Sequence, residues 1–395
     1  MNPSILLDKT QQFINQHLHD DLTKLFFKKS PFSDITIQEL ANQILAKNKS
    51  EKKLPTWFQL EKCYFPNKVS IEQTSSEITA EYKSKLVSGN TIIDITGGFG
   101  VDSYYFSKVF KTVIHCEIEK KLSKIVDYNF NQLKVKNIQF VSKNGIHFLK
   151  ENNVFFDWIY IDPSRRNDEK EKVFLLKDCT PNVYENLDFL LTMTNQILIK
   201  TSPILDISST IKELKFVKEI HVVAVQNEVK ELLYILEKNY ISKIKILTVN
   251  ILKDYLQEFQ FYYKDHESIK YSLPLTYLYE PNAAILKSGG FEKIASQMPV
   301  FKLHKHTHLF TSDEIIDFPG RIFKVESVKN YDKKLLKKFF PDNKANVTVR
   351  NFPKSVAQIR KETSLKDGGN FYIFFITDLN DNLKVIICKK KLTYP

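Results

Sequence analysis

The chain has 395 residues, 43% of them apolar and 26% charged, enough to core two or three domains and too much for a disordered polymer. No apolar run approaches the roughly 18 residues that cross a bilayer, and no charged-then-apolar leader opens the sequence, so a soluble, cytoplasmic protein with no membrane partner is expected. The net charge of +12 is uneven: residues 321–395 carry 17 Lys and Arg against 7 Asp and Glu, a net of +10, which leaves +2 for the first 320.

A segment that basic suggests a polyanionic partner, since neutralising phosphates supplies most of the non-specific affinity for nucleic acid. The alternative is a lysine-decorated surface that keeps the protein soluble. Cys63, Cys116, Cys179 and Cys388 are scattered without a CxxC pair, so they read as buried or reduced thiols, and no metal is expected.

In chain order, residues 4–65 show apolar positions at three- and four-residue spacing (Leu6, Phe13, Ile14, Leu18, Leu22, Leu25) and read as a helical cap. An amphipathic helix over 76–86 ends at the turn Ser88-Gly89-Asn90. Strand 91–95, helix 101–108 and strand 112–116 then make one βαβ unit. Helix 120–133, strand 138–141, helix 146–150, strand 158–161, helix 183–194 and strand 196–199 continue the alternation. It implies a parallel, doubly wound sheet with right-handed crossovers.

Residues 220–225 and 232–236 are expected to pair as an antiparallel hairpin around Gln226-Asn227-Glu228, the edge of a seven-stranded sheet. Beyond residue 251 the pattern turns aromatic and β-rich, broken by Pro274, Pro281, Pro319, Pro341 and Pro353. The division expected is a helical region 1–75, a sheet domain 76–253, and two small α+β domains, 254–319 and the basic 320–395.

Ligands of a parallel sheet sit at the carboxyl ends of its strands, where a glycine-rich first loop lets the backbone approach closely. Asp94-Ile95-Thr96-Gly97-Gly98-Phe99-Gly100 holds that position and differs from the dinucleotide pattern G-x-G-x-x-G. Glu117 ends the second strand about 20 residues later, where a carboxylate can accept both ribose hydroxyls of a nucleoside. Asn144, whose amide can both donate and accept hydrogen bonds, follows the third strand. The fourth strand delivers Asp162-Pro163-Ser164-Arg165-Arg166, and the fifth places Lys200 and Ser202 on the same rim. Adjacent arginines at a strand end are plausible contacts for a substrate phosphate or carboxylate, with a salt bridge to an acid such as Glu185 or Asp188 as the alternative.

The loop D-I-T-G-G-F-G-V-D, with I-Y-I-D-P-S-R-R and L-I-K-T-S-P, resembles class I S-adenosylmethionine-dependent methyltransferases of a bacterial subgroup with a C-terminal THUMP-like domain. The segments S-S-E-I-T-A-E-Y-K from Ser75, Y-E-P-N-A-A from Tyr279 and R-N-F-P from Arg350 carry the likeness further. It implies an α/β fold: a Rossmann-like seven-stranded methyltransferase sheet with an N-terminal helical cap and small ferredoxin-like and THUMP-like domains. It also implies S-adenosylmethionine as cofactor, held by Asp94, Thr96, Gly97, Gly98, Phe99, Gly100, Asp102, Glu117, Asn144 and Asp162.

Where many base methyltransferases carry D/N-P-P-Y/F, this chain has Asp162, Pro163, Ser164 and Arg165 as the catalytic stretch, so the aromatic residue on which a flipped base stacks is absent. Thr96 likewise replaces the loop's first glycine. Methyl transfer from a sulfonium needs chiefly alignment of the nucleophile, and Asp162 is the candidate to orient or deprotonate it. Arg165, Arg166, Lys200 and Ser202 are the candidate substrate contacts.

THUMP domains in better understood relatives bind structured RNA, so the likeness implies transfer or ribosomal RNA as partner. A non-catalytic RNA-binding protein with a vestigial cofactor fold, and a methyltransferase of DNA or a small molecule, are the alternatives. His304, His306 and His308 would share one face of a strand but lack a Cys or carboxylate to complete a metal site. Cys179 lacks the Pro-Cys context of a methylating nucleophile. A hairpin is expected around residues 380–382, flanked by Arg350, Lys354, Arg360, Lys361 and residues Lys389, Lys390 and Lys391 as a phosphate-binding face.

Overall fold

The computed structural model describes residues 1–21, 29–165, 175–265, 268–332, 340 and 342–390, with Arg165 described through its backbone alone. Leu22, Leu25, Arg166 and Lys391 lie outside the described residues. The chain forms two compact units: residues 1–219 with 231–242, and residues 220–230 with 243–395.

In the first unit, helices α1 (Asp8–Gln16), α2 (Ile37–Lys53), α3 (Pro55–Gln59) and α4 (Lys68–Gln73) build the N-terminal region. A capping box of Thr36 and Glu39 starts α2. Its apolar stripe puts Leu40 and Ile44 into a cluster with Trp57 and Phe65, which also takes in Phe99, Val126 and Phe130 of the sheet domain. The amphipathic spacing read from the sequence therefore describes a cap that shares its core with the domain it covers.

Helix α5 (Glu77–Ser84), capped by Ser76, precedes the alternating segment. Its elements are β1 (Thr91–Asp94), α6 (Val101–Phe106), β2 (Thr112–Cys116), α7 (Lys120–Gln132), β3 (Ile138–Val141), α8 (Gly145–Asn152), β4 (Trp158–Ile161), β5 (Ser164–Arg165), β6 (Cys179–Thr180), α9 (Val183–Met193), β7 (Gln196–Thr201), α10 (Ile207–Glu213), β8 (Val217–Val225) and β9 (Glu228–Glu237). Within this unit the strand order is β3-β2-β1-β4-β7-β9. The first five are parallel, and β9 runs antiparallel to β7. Order reverses between β1 and β4, the place where a doubly wound sheet opens a crevice at its strand ends. Short strands such as Trp158-Ile159-Tyr160-Ile161 are apolar throughout because helices cover both faces.

The second unit departs from the expected edge. Strand β8 is not the last strand there: it neighbours β10 (Lys245–Ile251), which pairs antiparallel with β11 (Leu256–Tyr262). Ile246 and Val249 of β10, which lie on opposite faces of the strand, are both buried. The turn from β8 into β9 is Gln226-Asn227, both at positive φ (51° and 64°), as a two-residue type I′ hairpin requires.

A second sheet follows, made of β12 (Tyr277–Pro281), β13 (Phe301–Lys302), β14 (Phe310–Ser312), β15 (Gly320–Asn330), β16 (Asn346–Arg350), β17 (Phe371–Thr377) and β18 (Leu383–Lys390), in the order β13-β14-β12-β15-β18-β17-β16. Helices α11 (Ala283–Ser288), α12 (Phe291–Gln297) and α13 (Val356–Thr363) accompany it. The hairpin around 380–382 joins β17 to β18. The three histidines do not share a strand face. Residues 303–309 lie between β13 and β14, with Leu303 and Leu309 fully buried, and this apolar demand overrides the alternation. His304 Nε2 faces Asp381 Oδ1 at 3.2 Å, whereas the His308 ring stacks on Phe291 at 3.6 Å.

Candidate active site

The glycine loop leaves β1 at the order reversal. Asp94 is buried, and its two oxygens are used by the loop and by α6. Oδ1 accepts the Thr96 N–H (3.0 Å) and faces the Thr96 hydroxyl (3.3 Å), and Oδ2 accepts the Ser103 hydroxyl (2.8 Å). Burial raises the Asp94 carboxyl to about 7 against these bonds. His115, fully buried on β2, lies 3.0 Å from Ser103 Oγ through Nδ1, and burial holds its pKa down to about 3.

Gly97 sits against that ring: a Cβ there would come within 2.2 Å of His115 Cε1. Gly100 has φ 81°, a left-handed conformation that suits glycine, and opens α6. Phe99 turns its side chain into the core against Trp57, so only its backbone remains at the loop.

Glu117 is half-buried at the end of β2. It accepts the Gly98 N–H through Oε2 (2.9 Å) and the Glu119 N–H through Oε1 (2.7 Å), and burial raises its pKa. Ile118 beside it is 68% exposed, an apolar surface where a buried residue would be the norm for this sheet. The sequence reading passed over it, although an apolar residue directly after a strand-end acid was signal enough. Asn144 caps α8 by accepting the His147 N–H at 3.1 Å, so one lone pair of its amide oxygen is already engaged.

At the end of β4, Asp162 is partly buried and paired with Lys200 of β7 on the same rim. Lys200 stays protonated: burial alone would lower its pKa, but Asp162, Asp102 and Glu231 raise it above the ordinary lysine value. Pro163 is buried, and Ser164 and Arg165 pair with Thr180 and Cys179 in a two-stranded ribbon. Cys179 is buried at that ribbon. The Arg165 side chain and all of Arg166 are outside the described residues; of the acids considered as their partners, Asp188 is engaged by Lys215 at 2.7 Å. Ser202 accepts the Ile204 N–H at 3.4 Å.

Asp102, expected among the cofactor ligands, turns instead to α5. Its Oδ1 lies 3.1 Å from Lys83 Nζ, and its Oδ2 accepts the hydroxyls of Ser75 (2.7 Å) and Tyr160 (2.8 Å). Lys83, with no exposed surface, also donates to Glu231 of β9 at 2.8 Å. Burial would push the Asp102 carboxyl up, yet Lys83 and Lys200 hold it below the ordinary value, while burial keeps Glu231 raised. This ion network was not foreseen, because its members are separated by up to 148 residues.

In the second unit, several cations counted toward a phosphate-binding face are paired. Arg350 and Arg321 both bind the buried Glu280, Arg350 at 2.7 Å. Lys354 pairs with Glu362 (2.8 Å), Lys389 with Glu326 (3.8 Å), and Arg360 with Asp367.

Family comparison matches residues 277–319 to a ferredoxin-like domain and residues 320–390 to a THUMP domain-like module. A solved structure from Porphyromonas gingivalis W83, named provisionally as a methyltransferase, is 28% identical with a TM-score of 0.87 and covers 98% of both chains. Among curated proteins, a Mycoplasma mobile protein named as an uncharacterized RNA methyltransferase is 33% identical over 92 residues, 23% of this chain and 25% of its own length. Ribosomal RNA small subunit methyltransferase D of Buchnera aphidicola is 28% identical over 109 residues, 26% of this chain and 56% of its own. The chain thus spans only a quarter to a little over half of these curated relatives. In fold it matches that Porphyromonas gingivalis structure, and its C-terminal part carries ferredoxin-like and THUMP domain-like modules.

Proposed function

We propose that the protein is a cytoplasmic S-adenosylmethionine-dependent methyltransferase that modifies a nucleobase in transfer or ribosomal RNA, with the basic C-terminal domain, from residue 320, contacting the substrate. The observation that carries the reading is the pairing at the order reversal: a glycine loop pressed against His115 and bonded to Glu117, beside Asp162 held by Lys200. The names of the curated relatives and the THUMP domain-like match support RNA as acceptor.

The residues fit the cofactor. Gly98 presents a side-chain-free surface, Glu117 can take ribose hydroxyls in place of its loop contacts, and exposed Ile118 offers an apolar face to adenine. The bound cofactor supplies an electrophilic methyl group with a neutral leaving group. Asp162 then accepts a hydrogen bond from the acceptor amine, and Lys200 keeps that carboxylate oriented. Arg165 and Arg166 follow as contacts for a substrate phosphate.

One observation favours a second reading, a small-molecule acceptor: Arg350, Lys354, Arg360 and Lys389 already have acidic partners. Mass spectrometry of RNA nucleosides from wild-type and deletion strains separates the two. A methylated nucleoside missing from the deletion strain names acceptor and atom, and identical nucleoside profiles overturn the RNA reading. Calorimetry with S-adenosylmethionine tests the cofactor, and absence of binding by a folded protein sinks the proposal.

A further inference from the structure

The β1–β4 ladder ends in an irregular rung. Ile95 donates its N–H to the Tyr160 carbonyl at 3.1 Å, as a parallel pair requires, and the next rung would take the Asp162 N–H to a backbone carbonyl of the β1 strand. That N–H goes instead to the Thr96 hydroxyl oxygen, at 2.7 Å. The same hydroxyl has one proton to give, and it faces Asp94 Oδ1 at 3.3 Å.

Thr96 stands where the common loop pattern has glycine, which has no side chain for either bond. Its hydroxyl connects two parts of the site that chain connectivity leaves 66 residues apart. On one side is the loop whose backbone would receive the methyl donor, and on the other the carboxylate that would face the acceptor. Asp162 is thereby fixed at two points: the backbone N–H by Thr96 and the side chain by Lys200. A shift of the glycine loop on filling must move the Thr96 oxygen, and with it the Asp162 amide.

We propose that Thr96 is a positioning residue that couples occupancy of the glycine loop to the placement of Asp162. The inference rests on the reading of that loop as the methyl-donor site. The departure from the family's loop pattern is then the means by which acceptor placement waits on donor binding.

The test uses the full chain with Thr96→Val, which keeps the shape and removes the hydroxyl, and Thr96→Ser, which keeps the hydroxyl. S-adenosylhomocysteine is the probe, and amide hydrogen exchange is resolved to Asp162. Without ligand, Thr96→Val should exchange the Asp162 amide about tenfold faster than wild type, and Thr96→Ser should match wild type. On adding the probe to saturation of each protein, the amide should change its exchange rate in wild type and Thr96→Ser but not in Thr96→Val.

Unchanged Asp162 exchange in a folded Thr96→Val protein overturns the proposal. So does loss of protection in Thr96→Ser equal to that in Thr96→Val, which would assign the effect to packing. If no form binds the probe, the donor-site reading fails, and the coupling with it, while the ligand-free exchange still decides whether the tie exists.

Discussion

Gly97 and Asp94 show how single positions hold the loop. A Cβ on Gly97 would meet the ring of His115, itself fully buried and unable to swing aside. Gly97→Ala should therefore weaken S-adenosylhomocysteine binding at least about tenfold and destabilise the first unit by roughly 1–3 kcal/mol, the usual range for overpacking. Adding His115→Ala should restore part of both. Calorimetry and thermal melts check this, and a double variant no better than the single one contradicts the contact. At Asp94 the sign follows from burial. A carboxyl raised to about 7 when folded, against about 3.9 unfolded, contributes stability that is full below about pH 4 and lost as pH rises through 7. Asp94→Asn lacks that loss, so its melting temperature should rise relative to wild type from pH 5 to pH 8. A constant gap over that range rules it out.

Elements differ in how much of themselves they declare. Strand Trp158–Ile161 stands where its apolar run lies, because burial on both faces leaves a local signature. Likewise the glycine loop, Glu117 and Asp162 were legible, each at a strand end in a fixed alternation. Strands β10 and β11 were not, since alternation names a strand without naming its neighbour. Nor was the network of Lys83, Asp102 and Glu231, for an ion pair across such separations has no local pattern. Lys83→Met removes the cation that bridges Asp102 and Glu231, leaving them Lys200 nearby, and should destabilise the first unit by about 3–5 kcal/mol in urea. A loss below 1 kcal/mol would mean that water reaches them. The β8–β9 turn offers opposite signs at adjacent positions. Gln226→Gly relieves a left-handed residue and should add a few tenths to about 1 kcal/mol. Asn227→Gly should lose stability, because the Asn227 amide oxygen accepts the Ala283 N–H at 2.8 Å.

For the whole molecule, charge and connectivity matter more than any one contact. The basic end of the chain suggests a strong grip on RNA, but pairing within the second unit withdraws cations from it. Binding of bulk transfer RNA should lose affinity with salt at a log–log slope shallower than about −3, given roughly −0.7 to −0.9 per phosphate contact. Fluorescence anisotropy between 50 and 200 mM salt, taken as rough limits, reads this directly, and a slope near −8 would show that the internal pairs open to the ligand. Connectivity has a different reach. Lys83 is made early in synthesis, but Glu231 belongs to the short return segment 231–242 that completes the first unit after the chain has entered the second. During translation the nascent first unit thus holds Lys83 with Asp102, but without Glu231, until the β8–β9 hairpin has left the ribosome. A ribosome-bound chain stalled with residue 225 exposed should be far more protease-sensitive than one stalled with residue 242 exposed, and gene fragments for expressing this unit should end after the hairpin, not before it.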